Sequence, residues 1–126
     1  MPDGDNAARR GMLTASVGSG ESGPLIVLSG EADLTSAGQL SALITAQLSR
    51  GPRQLTIDAS ELSFADSMSI RTLVLAARTL NERGGGLVLL RPRPVVARIL
   101  EIMGADQAIT IRTEANGERE PESEAG

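Results

Sequence analysis

The apolar positions of this chain alternate between two spacings, and each change of spacing predicts a new element. Short, nearly continuous apolar runs predict β-strands, whereas apolar residues three or four positions apart predict helices. The pattern predicts strands at residues 13–17, 25–29, 54–60, 87–91 and 108–112. It also predicts three helices: the first carries Leu40 and Ile44, the second begins at Ser67, and the third runs from Pro94 to Gly104.

The resulting order, ββαβαβαβ, predicts an α/β fold. Strand–helix–strand repeats of this length form right-handed crossovers between parallel strands, while the first two strands are joined by a glycine-rich hairpin loop. We therefore expect a single domain over residues 13–112 with a mainly parallel, mixed sheet. Residues 1–12 are expected to be a flexible leader. Residues 113–126 contain no large apolar residue and are expected to be a disordered acidic tail.

Two predicted helix starts carry capping sequences. Ser36 and Gln39 have the Ser-x-x-Gln form of a capping box, which predicts reciprocal hydrogen bonds at the start of the first helix. Ser67 stands where an apolar segment ends and the second helical pattern begins. Its hydroxyl is expected to cap that helix by accepting a hydrogen bond from the N–H of Ser69 or Ile70.

The composition excludes several kinds of chemistry. The 126 residues include no cysteine, histidine or lysine, and Phe64 is the single aromatic residue. Disulfides, thiolate chemistry, the common zinc sites and histidine acid–base catalysis are therefore excluded. The core must be built from aliphatic side chains. We predict that the protein uses no metal and no cofactor.

Two sequence features could indicate an enzyme. Residues 18–23 fit G-x-G-x-x-G, but Pro24 and a β-rich run follow where a dinucleotide fingerprint requires a helix. Asp33, Asp58 and Asp66 offer carboxylates for a hydrolytic pair, yet each also fits an ordinary cap or strand end. We therefore predict a protein that is not an enzyme.

The net charge of −4 comes from the end of the chain. Residues 113–126 hold five Glu and one Arg, whereas residues 13–112 hold nine acidic and nine basic residues. The arginines are scattered and have no aromatic neighbours, which argues against direct nucleic-acid binding. The first residues lack the apolar core of a signal peptide, and no run approaches the roughly 18 apolar residues of a membrane span. We expect a cytoplasmic protein.

From about Pro24 to Arg112 the chain resembles a STAS domain, and within that group the bacterial anti-sigma factor antagonists. The matching segments are SGEADL, LTIDASELSFADS, RGGG and ILEIMGAD. The resemblance implies a partner switch. The unphosphorylated antagonist binds an anti-sigma factor that is also a serine kinase, which frees the sigma factor. Phosphorylation then drives the antagonist off, and a serine phosphatase resets it.

The resemblance also implies roles for individual residues. Ser67 falls at the phosphoacceptor position of the family, and Asp66 matches the acidic residue before it. Asp33, in GEAD, matches an acidic position on the same partner-facing edge. ATP belongs to the kinase in this scheme and not to this chain.

The chain departs from the family pattern after the serine. The family usually has a small residue, a glycine, an aliphatic residue and often another glycine, whereas this chain has Met68, Ser69, an isoleucine and Arg71. We expect Ser69 and Arg71 to contribute to the partner surface, and Ser69 could compete as phosphoacceptor. Arg71 could pair with Asp66, contact a phosphate on Ser67, or contact an acidic patch on a partner. An alternative function is a STAS adaptor that is not phosphorylated, in a transporter or signalling complex.

Overall fold

The computed structural model describes residues 12–113, which form five strands and three α-helices. The strands are β1 (Leu13–Gly20), β2 (Gly23–Ala32), β3 (Gln54–Ala65), β4 (Gly86–Leu90) and β5 (Thr110–Arg112). The helices are α1 (Ala37–Leu48), α2 (Ser67–Glu82) and α3 (Pro94–Ile102). Short 3-10 turns lie at Leu34–Ser36 and Ala105–Gln107. The predicted leader and acidic tail lie outside the described residues, apart from Met12 and Thr113.

The strands form one mixed sheet in the order β1-β2-β3-β4-β5. β1 is antiparallel to β2, and β2 to β5 are parallel to one another, which confirms the predicted fold class and element order. Because the parallel strands follow chain order and their crossovers are right-handed, the three helices pack on the same face. Burial alternates accordingly along β2, where Ile26 and Leu28 are buried while Leu25 and Val27 are half-buried.

The core between the sheet and the helices is aliphatic. α2 buries Ile70, Leu73, Ala77 and Leu80 against it, as the helical spacing of these residues predicts. Full burial of each large aliphatic side chain contributes about 1.5–3 kcal/mol. No helix within residues 12–113 is both long and apolar enough to cross a membrane.

Three strands are longer than the sequence pattern predicts. β1 and β2 continue through the predicted glycine-rich loop, so that Glu21 and Ser22 alone turn between them. β3 continues to Ala65 instead of ending at Ser60, and it stays paired with β2 across two register shifts. Backbone pairing extends beyond the side-chain pattern because the N–H and C=O groups of neighbouring strands can pair whether or not the side chains are apolar.

The topology brings two strand–helix junctions together. Ala32 at the end of β2 pairs in register with Ala65 at the end of β3, and an aspartate follows each alanine. Parallel strands end at the same edge of a sheet, about 4.8 Å from their neighbours. We call the region of Asp33 and Asp66, with the helix starts that follow them, the carboxyl edge.

Candidate functional site

Asp66, and not Ser67, caps α2. Oδ1 of Asp66 accepts a hydrogen bond from the backbone N–H of Ser69 at 2.9 Å, and the backbone of Asp66 is extended, as an N-cap requires. Ser67 is the first residue inside the helix. The prediction that the Ser67 hydroxyl is the cap is therefore wrong. The physical reason is that aspartate caps as well as serine does and stands one position earlier.

This arrangement leaves the Ser67 hydroxyl available. The residue is exposed, and within residues 12–113 its side chain forms no hydrogen bond. The start of a 16-residue helix also surrounds it with the positive end of the helix dipole. Added negative charge at this hydroxyl is thus tolerated by the helix itself.

Ser69 lies in the interior. Its side chain is 1% exposed, and its hydroxyl donates a hydrogen bond to the carbonyl oxygen of Ala32 at 3.0 Å. The same carbonyl accepts the backbone N–H of Asp66 at 2.9 Å. The expectation that Ser69 contacts a partner or competes as phosphoacceptor is wrong, because no partner can reach this hydroxyl in the folded chain. Ser69 instead fastens α2 to the end of β2.

The β2 junction is closed by its own capping box. The backbone N–H of Asp33 donates to Oγ of Ser36 at 3.0 Å, and the Asp33 carboxylate accepts from the backbone N–H of Thr35 at 3.0 Å and from its hydroxyl at 2.7 Å. The predicted Ser36–Gln39 box is wrong, because the first turn begins three residues earlier, at Asp33. Gln39 instead donates its side-chain N–H to the carbonyl of Leu13 at 2.8 Å.

These contacts keep negative charge at the carboxyl edge. The hydrogen bond from the Thr35 hydroxyl is the largest cause that lowers the pKa of Asp33 below its ordinary value, and the backbone N–H groups of Thr35 and Ser36 add to it. Asp33 is therefore ionised at neutral pH. The structure brings Asp33, Asp66 and the Ser67 hydroxyl to one edge of the sheet.

The three aspartates do not form one carboxylate site. Asp58 lies eight positions before Asp66 along β3, about 25 Å away for an extended strand. It pairs with Arg91 at 2.6 Å. Burial alone would raise the pKa of Asp58, but hydrogen bonds from Ser60 and the charge of Arg91 outweigh it and lower this pKa. Asp58 thus serves the sheet and not the carboxyl edge.

Arg71 is exposed on α2 and does not pair with Asp66. Within residues 12–113, Arg71 forms neither an ion pair nor a hydrogen bond to another side chain. The ion pair in this range joins Arg91 to Asp58. Of the alternatives that the sequence leaves open for Arg71, the structure removes the pair with Asp66. The alternatives that remain concern a phosphate or a partner.

A depression beside Ser67 is a feature that sequence reasoning missed. It has a volume of about 350 Å³, and its lining includes Ser67, Met68, Arg71, Leu75, Arg78 and Met103. We call it the α2 depression. Its signal in the sequence is a second helical stripe, at positions 68, 71, 75 and 78, beside the stripe that enters the core. A second missed signal is Ala-Asp-x-x-Ser, which occurs at both junctions, at 32–36 and 65–69.

Comparisons with known proteins agree with this architecture. A family model described as "Mlab, STAS domain" matches residues 15–113. BtrV of Bordetella bronchiseptica, named as a candidate anti-sigma factor antagonist, is 34% identical over 77 residues. That match covers 61% of this chain and 66% of BtrV, so it spans just under two thirds of the relative.

Solved structures share the fold. An anti-sigma factor antagonist from Mycobacterium paratuberculosis has a TM-score of 0.75 at 23% identity, covering 83% of this chain and 89% of that one. SpoIIAA in its unphosphorylated form has a TM-score of 0.70 at 21% identity, with coverages of 90% and 98%. The Bacillus cell fate determinant SpoIIAA in its phosphorylated form has a TM-score of 0.63 at 23% identity, with coverages of 82% and 96%. The family match spans nearly all the described residues, and this protein therefore belongs to the STAS domain family.

Proposed function

We propose that this protein is an anti-sigma factor antagonist that works as a phosphorylation-controlled partner switch. In this proposal the unphosphorylated chain binds an anti-sigma factor with serine kinase activity. That kinase phosphorylates Ser67 and thereby releases the antagonist, and a serine phosphatase restores it. The chain is a kinase substrate and a binding protein, not an enzyme, and it acts in the cytoplasm where sigma factors act.

The observation that carries the proposal is the state of the Ser67 hydroxyl. It is exposed and forms no hydrogen bond within residues 12–113, while Asp66 caps the helix and Ser69 fastens it to β2. A kinase can phosphorylate this hydroxyl without breaking a structural contact. Similar proteins are named as anti-sigma factor antagonists, and one of them, SpoIIAA, has solved structures with and without phosphate. These names support the same role.

Charge gives the switch its energy. A phosphate on Ser67 adds about −1.5 to −2 charges beside Asp66 and near Asp33. A partner carboxylate about 5 Å away is then repelled by about 1.2–1.7 kcal/mol even in water, and by more in a dry interface. Moving a complex from mostly bound to mostly free requires about 5.5 kcal/mol. Two or three such repulsions, together with desolvation of the phosphate, supply this difference.

Phosphate mapping tests the proposal. The protein is isolated from its native cells in growth and under stress, and its intact mass and peptide map are recorded with and without phosphatase treatment. We expect a single, phosphatase-sensitive phosphate on Ser67. A chromosomal Ser67→Ala variant is the matched control and should lose the phosphate while the protein remains folded.

The opposite outcome favours a different function. No phosphate under any condition, or a phosphate elsewhere in the chain, would contradict the switch. An adaptor that is not phosphorylated would then be the better proposal. The residues that favour it are Met68 and Arg71, two large side chains where the family usually has small ones.

A further inference from the structure

We infer that the α2 depression binds an acidic, partly apolar segment of the partner and that Arg71 and Arg78 select it. The inference rests on the proposed function, and it names the chemistry of the partner surface that this chain fits. The occupant to which we commit is a segment of the anti-sigma factor that carries aspartate or glutamate beside aliphatic side chains.

Two cationic side chains line the α2 depression. Arg71 and Arg78 lie two turns apart on α2, both are exposed, and neither has a hydrogen bond or ion pair within residues 12–113. No acidic side chain lines the depression. Arg83, at the C-cap of α2, instead donates hydrogen bonds to the carbonyls of Leu48 and Pro52. An isolated pair of cations complements carboxylates on a partner.

Exposed apolar side chains lie beside these cations. Met68 is 52% exposed, Leu75 is 51% exposed, and Met103, after α3, is 41% exposed. Methionine side chains adapt to irregular partners, and such clusters occur at protein-binding surfaces. The two long arginine side chains add their own aliphatic stems to this surface. A purely polar ligand would leave this apolar lining in water.

Arg71 is the fifth residue of α2, about one turn after Ser67, so the two side chains lie on the same face of the helix. Ser67 also lines the depression, so a phosphate on Ser67 and the partner carboxylates compete for Arg71. Phosphorylation therefore removes one of the partner's counter-charges as well as adding repulsion.

Charge reversal tests the inference. Each serine-kinase anti-sigma factor of the source organism is purified, and its affinity for the full unphosphorylated chain is measured by titration calorimetry without ATP, at low and high salt. We expect R71E and R78E each to weaken binding about 3- to 30-fold, with most of the loss at low salt. The matched control is R98E, an exposed arginine of α3 outside the depression. Among the apolar residues, L75A should weaken binding more than V95A, because Val95 of α3 is similarly exposed but does not line the depression.

The outcomes separate this inference from the function on which it rests. Wild-type binding that R71E and R78E weaken no more than R98E does overturns the inference and leaves the switch standing. Failure of the wild-type chain to bind any of these anti-sigma factors overturns both. Binding of the chain to phosphatidylglycerol vesicles that is lost in R71E and R78E would assign the depression to a membrane and also overturn the inference. Restored binding when a partner Glu is changed to Arg against R71E supports it.

Discussion

The two strand–helix junctions of the carboxyl edge have the same sequence pattern but use their hydroxyl groups differently. Each has Ala-Asp-x-x-Ser, with an aspartate whose carboxylate caps the turn that follows. At the β2 junction the Thr35 hydroxyl donates to Asp33, and Ser36 completes the capping box. At the β3 junction the first-turn hydroxyl belongs to Ser67, which is exposed and forms no such bond.

The difference follows from where each hydroxyl stands relative to its aspartate. Thr35 is two residues after Asp33, within reach of the carboxylate, whereas Ser67 is one residue after Asp66 and forms no hydrogen bond with it. A closed junction is a structural element. At the β3 junction the exposed Ser67 hydroxyl is not part of a structural contact within residues 12–113.

Adding a negative charge should have the largest effect, and the effect should differ between the two junctions. Ser67→Asp places one carboxylate where the phosphate is proposed, so it should supply about half of the roughly 5.5 kcal/mol needed for a full switch. We expect its affinity for the anti-sigma factor to fall about 100-fold, measured by titration calorimetry. Thr35→Asp instead puts two carboxylates together at the β2 junction and should lower the urea midpoint. Binding by Ser67→Asp at wild-type affinity would contradict the switch.

Much of this architecture is readable from the sequence because it depends on hydrophobic spacing. The stripe of Ile70, Leu73 and Leu80 predicts α2, and the strand–helix alternation predicts the mainly parallel sheet. The shared edge of Asp33 and Asp66 is implied by the family resemblance instead. The sequence pattern places the caps one residue late, at Ser67, and three residues late, at Ser36. Serine and aspartate are nearly equal as caps, so local pattern does not choose between them.

Other features could not be predicted because they depend on contacts between distant parts of the chain. Ser69 is polar and follows an exposed residue, yet it is buried because Ala32, 37 positions earlier, presents a carbonyl to it. The α2 depression needs Met103, which only the return of the chain after α3 brings beside α2. Sequence spacing identifies faces of single helices but not which distant residue completes a surface.

The structural contributions of the two junctions can be compared by removing each capping carboxylate and measuring the free energy of unfolding. Asp66→Ala should lower the free energy of unfolding by about 1–2 kcal/mol, the usual cost of a lost N-cap, and Asp33→Ala should lower it as well. We expect Asp33→Ala to be the larger loss, because Asp33 accepts from both the N–H and the hydroxyl of Thr35, whereas Asp66 accepts from the N–H of Ser69. Urea denaturation of both variants measures this. A larger loss for Asp66→Ala would reverse the comparison.

Acid titration should detect the hydroxyl contact itself. The pKa of Asp33 lies below its ordinary value of 3.8 chiefly because the Thr35 hydroxyl donates to it. The stability that this carboxylate contributes is therefore complete above pH 3.8 and is lost as pH falls through the lowered folded pKa. Thr35→Val should raise the pKa of Asp33, followed by carboxyl ¹³C NMR, and should shift that loss to higher pH. An unchanged pKa would show that the backbone N–H groups alone hold the carboxylate ionised.

The smallest expected effect belongs to Ser67→Ala. If the Ser67 hydroxyl were a cap, its removal would cost about 1 kcal/mol. Because Asp66 provides the cap, we expect the free energy of unfolding to change by less than about 0.3 kcal/mol, since alanine is also a good residue inside a helix. Urea denaturation measures this change, with Thr35→Ala as the reference variant. Thr35→Ala loses a hydrogen bond to Asp33, so its loss of stability shows what removal of a bonded hydroxyl costs. A stability loss in Ser67→Ala as large as in Thr35→Ala would make the two junctions equivalent and Ser67 a structural residue. An unchanged stability means that binding differences between Ser67→Ala and Ser67→Asp report charge at the surface and not damage to α2.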